Sequence, residues 1–143
     1  MKKTGILNPE LMHALTSLGH TDRFIICDAG FPIPHHIKRI DLTLTAGIPS
    51  FMDCIKGVLS EIIVEEIALS KEMREVNPET HDAVCKLFQN QKRVYLDQSD
   101  LLKETQNVSF IIRSAEFAPY SNILLTSASG VEKYYRGFEI LRT

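Results

Sequence analysis

The sequence predicts an α/β fold, namely a single domain in which a mostly parallel sheet is flanked by helices in Rossmann-like layers. Three observations favour it. Segments with strand and helix patterns alternate along the chain. Residues 24–27 form a short, nearly continuous apolar run, which is typical of a strand buried on both faces. The chain has 143 residues, 44% of them hydrophobic, which suits one domain with its own core over residues 1–143.

Helix ends are marked by capping residues. Asn8 is a good N-cap, and Pro9 suits the first helical position of the first helix. Gly19 is expected to end that helix in a left-handed C-cap. Ser50 and Asp53 resemble a capping box, so a second helix is predicted to follow Ser50.

The strands are predicted from alternation and from β-branched residues. Residues 40–44 alternate apolar and polar side chains, as in a half-buried strand. A β-branched cluster favours a strand over residues 62–69, although Glu61, Glu65 and Glu66 keep a helix there as an alternative. The remaining predicted elements are helices at 70–76, 78–90 and 99–104, and strands at 93–96, 108–112 and 122–126.

Composition excludes several classes of function. A formal net charge of −2 is not that of a nucleic-acid surface, which needs clustered basic residues. No apolar run approaches the roughly 18 residues that suggest a membrane span. The first residues lack a signal-peptide pattern because Asn8 and Pro9 interrupt the apolar stretch. We therefore expect a cytoplasmic protein without nucleic-acid or membrane partners.

Metal and redox motifs are not supported by the sequence. Cys27, Cys54 and Cys85 are widely spaced and form no C-x-x-C pair, so they are expected to act as small hydrophobic residues. The adjacent His35 and His36 diverge and have no partner carboxylate at ligand spacing. There is also no Gly-rich phosphate loop, no G-x-S-x-G elbow and no H-E-x-x-H motif.

Two residues beside the apolar run 24–27 are candidates for chemistry. His20 can give and take a proton near neutral pH, or it can stabilise the end of the first helix as a cation. Asp28 follows the run directly and can bind sugar hydroxyls or orient an imidazole. The other interpretation of Asp28 is an Asx-turn that caps the loop.

A second candidate loop spans residues 113–121. In open α/β sheets, ligands bind beyond the carboxyl ends of strands, where this loop and the loop after residue 27 are both expected. Tyr120, Ser121 and Asn122 offer groups that can bind a polyol, but they are also ordinary turn residues. Arg113 can bind an anion or pair with Glu116.

The chain resembles the D-ribose pyranase family, a group of ribose mutarotases with fucose mutarotases as a sister branch. The resemblance covers nearly the whole chain and follows the ribose branch. It is carried by Gly19-His20-Thr21-Asp22, Cys27-Asp28-Ala29-Gly30, Pro32-Ile33-Pro34, Arg39-Ile40-Asp41, Gly47-Ile48-Pro49-Ser50-Phe51, Glu72, Asn77-Pro78, Ile112-Arg113-Ser114, Glu116 and Pro119-Tyr120-Ser121-Asn122-Ile123.

The resemblance implies a cofactor-independent enzyme that needs no metal. Its expected activity is the interconversion of the pyranose and furanose forms of D-ribose, and of its anomers. It implies a cytoplasmic homo-oligomer, typically a decamer of two stacked pentamers, with the sugar bound between subunits. His20 matches the family's proton donor. Asp28, Tyr120 and Asn122 match sugar-binding positions, with Ser121 between the last two.

Three features depart from the family pattern. Gln98 stands where the family commonly has a sugar-binding His, so this side chain can form hydrogen bonds but cannot titrate. Ala115 replaces a usual Gly and restricts the loop if that backbone needs a positive φ. Residues 132–143 form an apolar C-terminal extension beyond the family's usual end, which could pack on a neighbouring subunit.

Spacing raises a difficulty for a site within one chain. Five strand residues span about 16 Å, at about 3.3 Å each, which would separate His20 from Asp28. Either the strand is short or bent, or these residues serve sites shared with different neighbours. Besides the mutarotase, a non-catalytic sugar-binding accessory of ribose transport and a ring without a ligand remain as alternatives.

Overall fold

The computed structural model describes residues 1–130 of the chain. The predicted extension, residues 132–143, lies outside the described residues. Every helix and strand predicted from the sequence is found within residues 1–130. The helices are α1 (Pro9–Thr16), α2 (Phe51–Leu59), α3 (Lys71–Val76), α4 (Pro78–Leu87) and α5 (Gln98–Lys103), followed by a 3₁₀ turn (Glu104–Asn107). The strands are β1 (Arg23–Cys27), β2 (Arg39–Asp41), β3 (Val64–Ser70), β4 (Lys92–Leu96), β5 (Ile111–Arg113) and β6 (Ile123–Ser127).

The strands form one six-stranded sheet in the order β2-β5-β1-β6-β3-β4. β6 pairs antiparallel with both β1 and β3, whereas the other three pairings are parallel. The predicted mostly parallel sheet is therefore confirmed. Because β6 runs against the rest, its first residues lie at the sheet edge where the parallel strands end.

The core fills both faces of this sheet. Phe24 and Ile26 of β1 belong to the cluster that packs under α1, α2 and α4, and Ile25 and Cys27 belong to the cluster under α5. All four are fully buried. The prediction that residues 24–27 are covered on both sides is thus confirmed. No helix within residues 1–130 is long and apolar enough to cross a membrane.

The predicted caps at the starts of α1 and α2 are confirmed, whereas the predicted cap at the end of α1 is wrong. Asn8 Oδ1 accepts from the Leu11 N–H at 2.9 Å, and Ser50 and Asp53 form the reciprocal capping box. The left-handed C-cap at Gly19 is wrong. α1 already ends at Thr16, and the N–H of Ser17 satisfies the His13 carbonyl in a right-handed conformation. The positive φ of 70° belongs to Thr21.

Several boundaries differ from their predictions. The strand predicted at 108–112 is Ile111–Arg113, because the chain bends at Ser109 before it enters the ladder. Ser99 does not cap α5, which begins at Gln98 with Asp97 in the N-cap position. The segment with two interpretations, 62–69, forms a strand over Val64–Ser70, so its helical alternative is wrong.

Candidate functional site

The sheet separates the predicted site residues into two groups at opposite edges. β1 keeps five residues, Arg23–Cys27, so the alternative of a shorter strand is wrong. His20 precedes β1 and Asp28 follows it. At about 3.3 Å per residue, the two ends of β1 lie about 16 Å apart. One chain therefore does not bring His20 and Asp28 together.

Asp28 and Asn122 meet at the carboxyl edge of the sheet. The Asp28 N–H donates to Asn122 Oδ1 at 3.0 Å, and Asp28 Oδ1 accepts from the Gly30 N–H at 3.1 Å. The second bond is the predicted Asx-type turn. Burial raises the pKa of the Asp28 carboxyl above its usual value, whereas hydrogen bonds from the Asn122 side chain and the Gly30 backbone oppose the rise. A half-buried acceptor is thus held beside a buried amide.

The loop that carries Asn122 is held in an uncommon conformation. Tyr120 has a φ of 57°, which is rare for a residue other than glycine and is often found at binding sites. Ser121 is fully buried; its hydroxyl donates to the Ala118 carbonyl at 2.9 Å and accepts from Asn77 Nδ2 at 3.3 Å. The Ser121 side chain therefore stabilises the loop conformation, and this loop places Asn122 against Asp28.

A cavity of about 240 Å³ opens beside this pair, between the loops that follow β1 and β5. Arg113 lines it and donates from Nε to the Ala29 carbonyl and from Nη1 to Asp41 Oδ2, at 3.0 and 2.9 Å. The alternative in which Arg113 pairs with Glu116 is therefore wrong. Glu116 instead accepts from backbone N–H groups, Phe117 and Ala118 among them. The lining residues are Asp28, Ala29, Gly30, Arg113, Glu116 and Phe117.

Gln98 lies on the same edge but farther along the sheet. It follows β4, which is three strand spacings or about 14 Å from β1. Its backbone N–H donates to Glu72 Oε2 at 2.9 Å, and Lys71 Nζ lies 2.9 Å from Asp97 Oδ1. The side-chain Gln98 Oε1 is buried and has no hydrogen-bond partner within residues 1–130. A buried acceptor of this kind is costly unless a donor reaches it.

His20 lies at the opposite, amino edge and pairs with a carboxylate. Its Nε2 is 3.0 Å from Glu65 Oε2, and the two side chains are 52% and 41% exposed. The imidazole thus contacts β3 rather than the end of α1, which speaks against the helix-capping interpretation. The adjacent Thr21 N–H donates to the Ser127 carbonyl at 2.9 Å, which ties this loop to the end of β6.

Three residues make structural contacts that were not predicted from the sequence. Glu65 meets His20, Glu72 holds the first residue of α5, and Asn77 fastens the Tyr120 loop through Pro119 and Ser121. The sequence marked Asn77 as the break between two predicted helices and, with Pro78, as part of the family resemblance. The contacts depend on tertiary pairing over 26 to 45 residues of chain. Ala115 has no positive φ, so the replacement of a usual glycine restricts nothing here.

Comparison with known proteins agrees with this architecture. The model of the RbsD / FucU transport protein family matches residues 1–131. A D-ribose pyranase from Thermoanaerobacter pseudethanolicus is 44% identical over 132 residues, covering 92% of this chain and 99% of that protein. One from Histophilus somni is 41% identical over 135 residues, covering 89% and 97%.

Solved structures give the same result. Bacillus subtilis RbsD, solved in complex with D-ribose, superposes with a TM-score of 0.86 at 38% identity, covering 90% of this chain and 98% of that one. A fucose mutarotase from Streptococcus pneumoniae, solved with L-fucose, shares the fold at a TM-score of 0.73 and 19% identity, covering 85% and 93%. The resemblance recognised in the sequence is confirmed, and the chain belongs to the RbsD / FucU family.

Proposed function

We propose that this protein is a cofactor-independent isomerase that interconverts the pyranose and furanose forms of D-ribose, and its anomers. The observation that carries the proposal is the Asp28–Asn122 pair beside an open cavity, in a chain 38% identical to a protein solved with D-ribose bound. Relatives named D-ribose pyranase align over nearly their whole length, which supports the same activity.

The reaction requires two proton transfers and no redox change. The anomeric hydroxyl loses its proton while the C1–O5 bond breaks, so C1 becomes an aldehyde and O5 takes up a proton. Reclosure through O4 gives a furanose, and reclosure through O5 gives a pyranose of either anomer. A positioned acid/base group contributes about 10²–10⁴-fold to such a step. Ribose opens unaided in water, so the acceleration required of the protein is small beside that of most enzymes.

The described geometry supports distinct roles for the predicted residues. Asp28 is an acceptor for sugar hydroxyls. Asn122 holds the Asp28 backbone in place and opposes the rise in the pKa of the Asp28 carboxyl that burial causes. Tyr120 adds a phenol from the same loop, which the buried Ser121 shapes. Gln98 Oε1 is an acceptor without a partner among the described residues, and a sugar hydroxyl would supply one. His20 is the proposed proton donor.

A complete site then requires two copies of the chain, because His20 lies at the edge opposite Asp28. Exposed apolar side chains near the Asp28 cavity support burial by a neighbour: Leu44 is 81% exposed and Phe117 is 73% exposed. We propose a homo-oligomer with sites between subunits, built as a decamer of two pentameric rings and working in the cytoplasm. We also propose that residues 132–143 are an extension beyond the family domain, whose matched region ends at residue 131.

Saturation-transfer NMR between the anomers of ribose tests the activity. We expect the protein to accelerate exchange, and His20→Ala to abolish the acceleration while ribose binding by calorimetry is retained. Ribose binding with exchange no faster than in buffer would favour the non-catalytic accessory. Full activity of the His20→Ala variant would remove His20 from the mechanism.

A further inference from the structure

A β-bulge interrupts the ladder between β3 and β6 at one residue. Val64 pairs with Ser127, and Glu66 pairs with Thr126, so two steps along β3 match one step along β6. Glu65 is the extra residue. Bulges of this type bend a strand and redirect a side chain, and they are frequent beside active sites.

The bulge decides which way Glu65 faces. Ile67 and Leu69 of the same strand are fully buried in the core under α1, α2 and α4. Regular alternation would place Glu65 in that core as well, because strand side chains repeat every two residues. Instead Val64 is buried there at 4% exposure, and the Glu65 side chain is 41% exposed. The bulge therefore keeps this carboxylate outside the apolar core.

The Glu65 carboxylate contacts His20, and the backbone beside each of these two residues is joined to Ser127 of β6. Glu65 Oε2 lies 3.0 Å from His20 Nε2. Ser127 pairs with Val64, accepts from the Thr21 N–H at 2.9 Å, and donates to the Asp22 carbonyl at 2.8 Å. The residues that flank His20 and Glu65 are thus joined through the end of β6, which sets the distance between the two side chains.

Neighbouring charges are engaged elsewhere. Lys92 Nζ lies 2.7 Å from Glu66 Oε2, and Asp22 Oδ2 accepts from the Gly19 N–H at 2.7 Å. Glu65 is thus the carboxylate that meets the imidazole among the described residues around it. An exposed ion pair adds little to folding stability. A gain in stability is therefore a weak explanation for a bulge that places a carboxylate against a histidine.

We infer that Glu65 is a positioning residue for His20, an inference that rests on the proposed function. It accepts the Nε2–H and fixes the orientation and tautomer of the ring. The other nitrogen, Nδ1, is then left to exchange protons with the sugar. Nδ1 is unprotonated when the ring is neutral and protonated when the ring is a cation, so the same atom can act as base and as acid.

Glu65→Ala and Glu65→Gln test this, with Glu66→Gln as the matched control one residue along the strand. We expect Glu65→Ala to lower the exchange rate at saturating ribose about 10-fold, part of the roughly 10²–10⁴-fold that a positioned acid/base group supplies. Ribose affinity should stay within about twofold, since Glu65 does not touch the sugar. Glu65→Gln should fall between Glu65→Ala and the wild type, because its amide oxygen still accepts the Nε2–H.

The ¹⁵N spectrum of the His20 imidazole gives a readout that does not depend on activity. The wild-type neutral ring should carry its proton on Nε2 in a hydrogen bond to Glu65, seen as a downfield shift of the Nε2–H signal. Glu65→Ala should lose this hydrogen-bond shift, and Glu66→Gln should retain it. A wild-type rate and spectrum in Glu65→Ala would overturn the inference, as would an equal loss in Glu66→Gln or a rate loss matched by weaker binding. If the wild type itself does not accelerate exchange, the proposed function fails, and the spectrum alone decides whether Glu65 holds the His20 ring by a hydrogen bond to Nε2–H.

Discussion

Replacement of Asn122 by Ala tests the buried contact on which the Asp28 site depends. Asn122 is 1% exposed, and its Oδ1 accepts from the Asp28 N–H at 3.0 Å. Removal leaves a largely buried backbone donor unpaired, which costs about 1–3 kcal/mol. It also removes a hydrogen bond that lowers the pKa of the Asp28 carboxyl. We therefore expect a loss of about 2–3 kcal/mol in the free energy of unfolding.

Urea denaturation followed at one protein concentration measures this loss, because association contributes to stability in an oligomer. Asn107→Ala is the matched control: Asn107 is exposed, and its replacement should cost less than about 0.5 kcal/mol. Ribose affinity should fall about 10-fold or more in Asn122→Ala, since one hydrogen bond near 1.4 kcal/mol corresponds to a factor of ten. Equal stability of the two variants, with ribose affinity intact, would refute this reasoning.

Three further predictions concern ionisation, recognition and burial. Burial raises the folded-state pKa of Asp28 above its usual 3.8, so the native state binds this proton more tightly than the unfolded state. The stability of the wild type relative to Asp28→Asn should therefore fall as the pH rises from below 3.8 through the folded-state pKa. A rise in relative stability over that pH range would contradict this. Gln98→Leu should weaken ribose binding about 10-fold in calorimetry by removing the acceptor, and unchanged affinity would exclude Gln98 from the site. Burial raises the pKa of the Cys54 thiol to about 12 and raises that of Cys27 further, so an alkylating reagent followed by mass spectrometry should modify the partly exposed Cys85 first and the other two only after unfolding.

The sequence predicts local features of this fold well, because those features depend on neighbouring residues. Asn8 and the Ser50–Asp53 box cap their helices by hydrogen bonds within three residues of chain. The run at 24–27 forms a fully buried strand. Burial on both faces was predictable there because every residue of the run is apolar. The order of elements, and hence the fold class, follows from such signals.

Features that depend on distant pairing could not be predicted in the same way. The bulge at Glu65 exists only in register with β6, about 60 residues later, and no local signal marks it. Arg113 pairs with Asp41, 72 residues away, because β2 and β5 are neighbours in the sheet. The nearby Glu116 is a reasonable partner in the sequence but is occupied by backbone N–H groups.

The candidate site shows both cases together. Asp28 and Asn122 were each predicted, and their contact follows from a strand order that the sequence does not specify. The separation of His20 from Asp28 was anticipated from strand length alone, since five extended residues are too long to fold back.

Mixed oligomers test most directly whether the site is shared between subunits. His20→Ala and Asp28→Asn should each be inactive in ribose anomer exchange when assembled alone. When equal amounts assemble together at random, a site is intact where a copy with Asp28 adjoins a copy with His20, which is about a quarter of sites in a closed ring. We expect the mixture to recover about a quarter of wild-type exchange. Exchange in the mixture no faster than in the separate variants would contradict a site built from two chains.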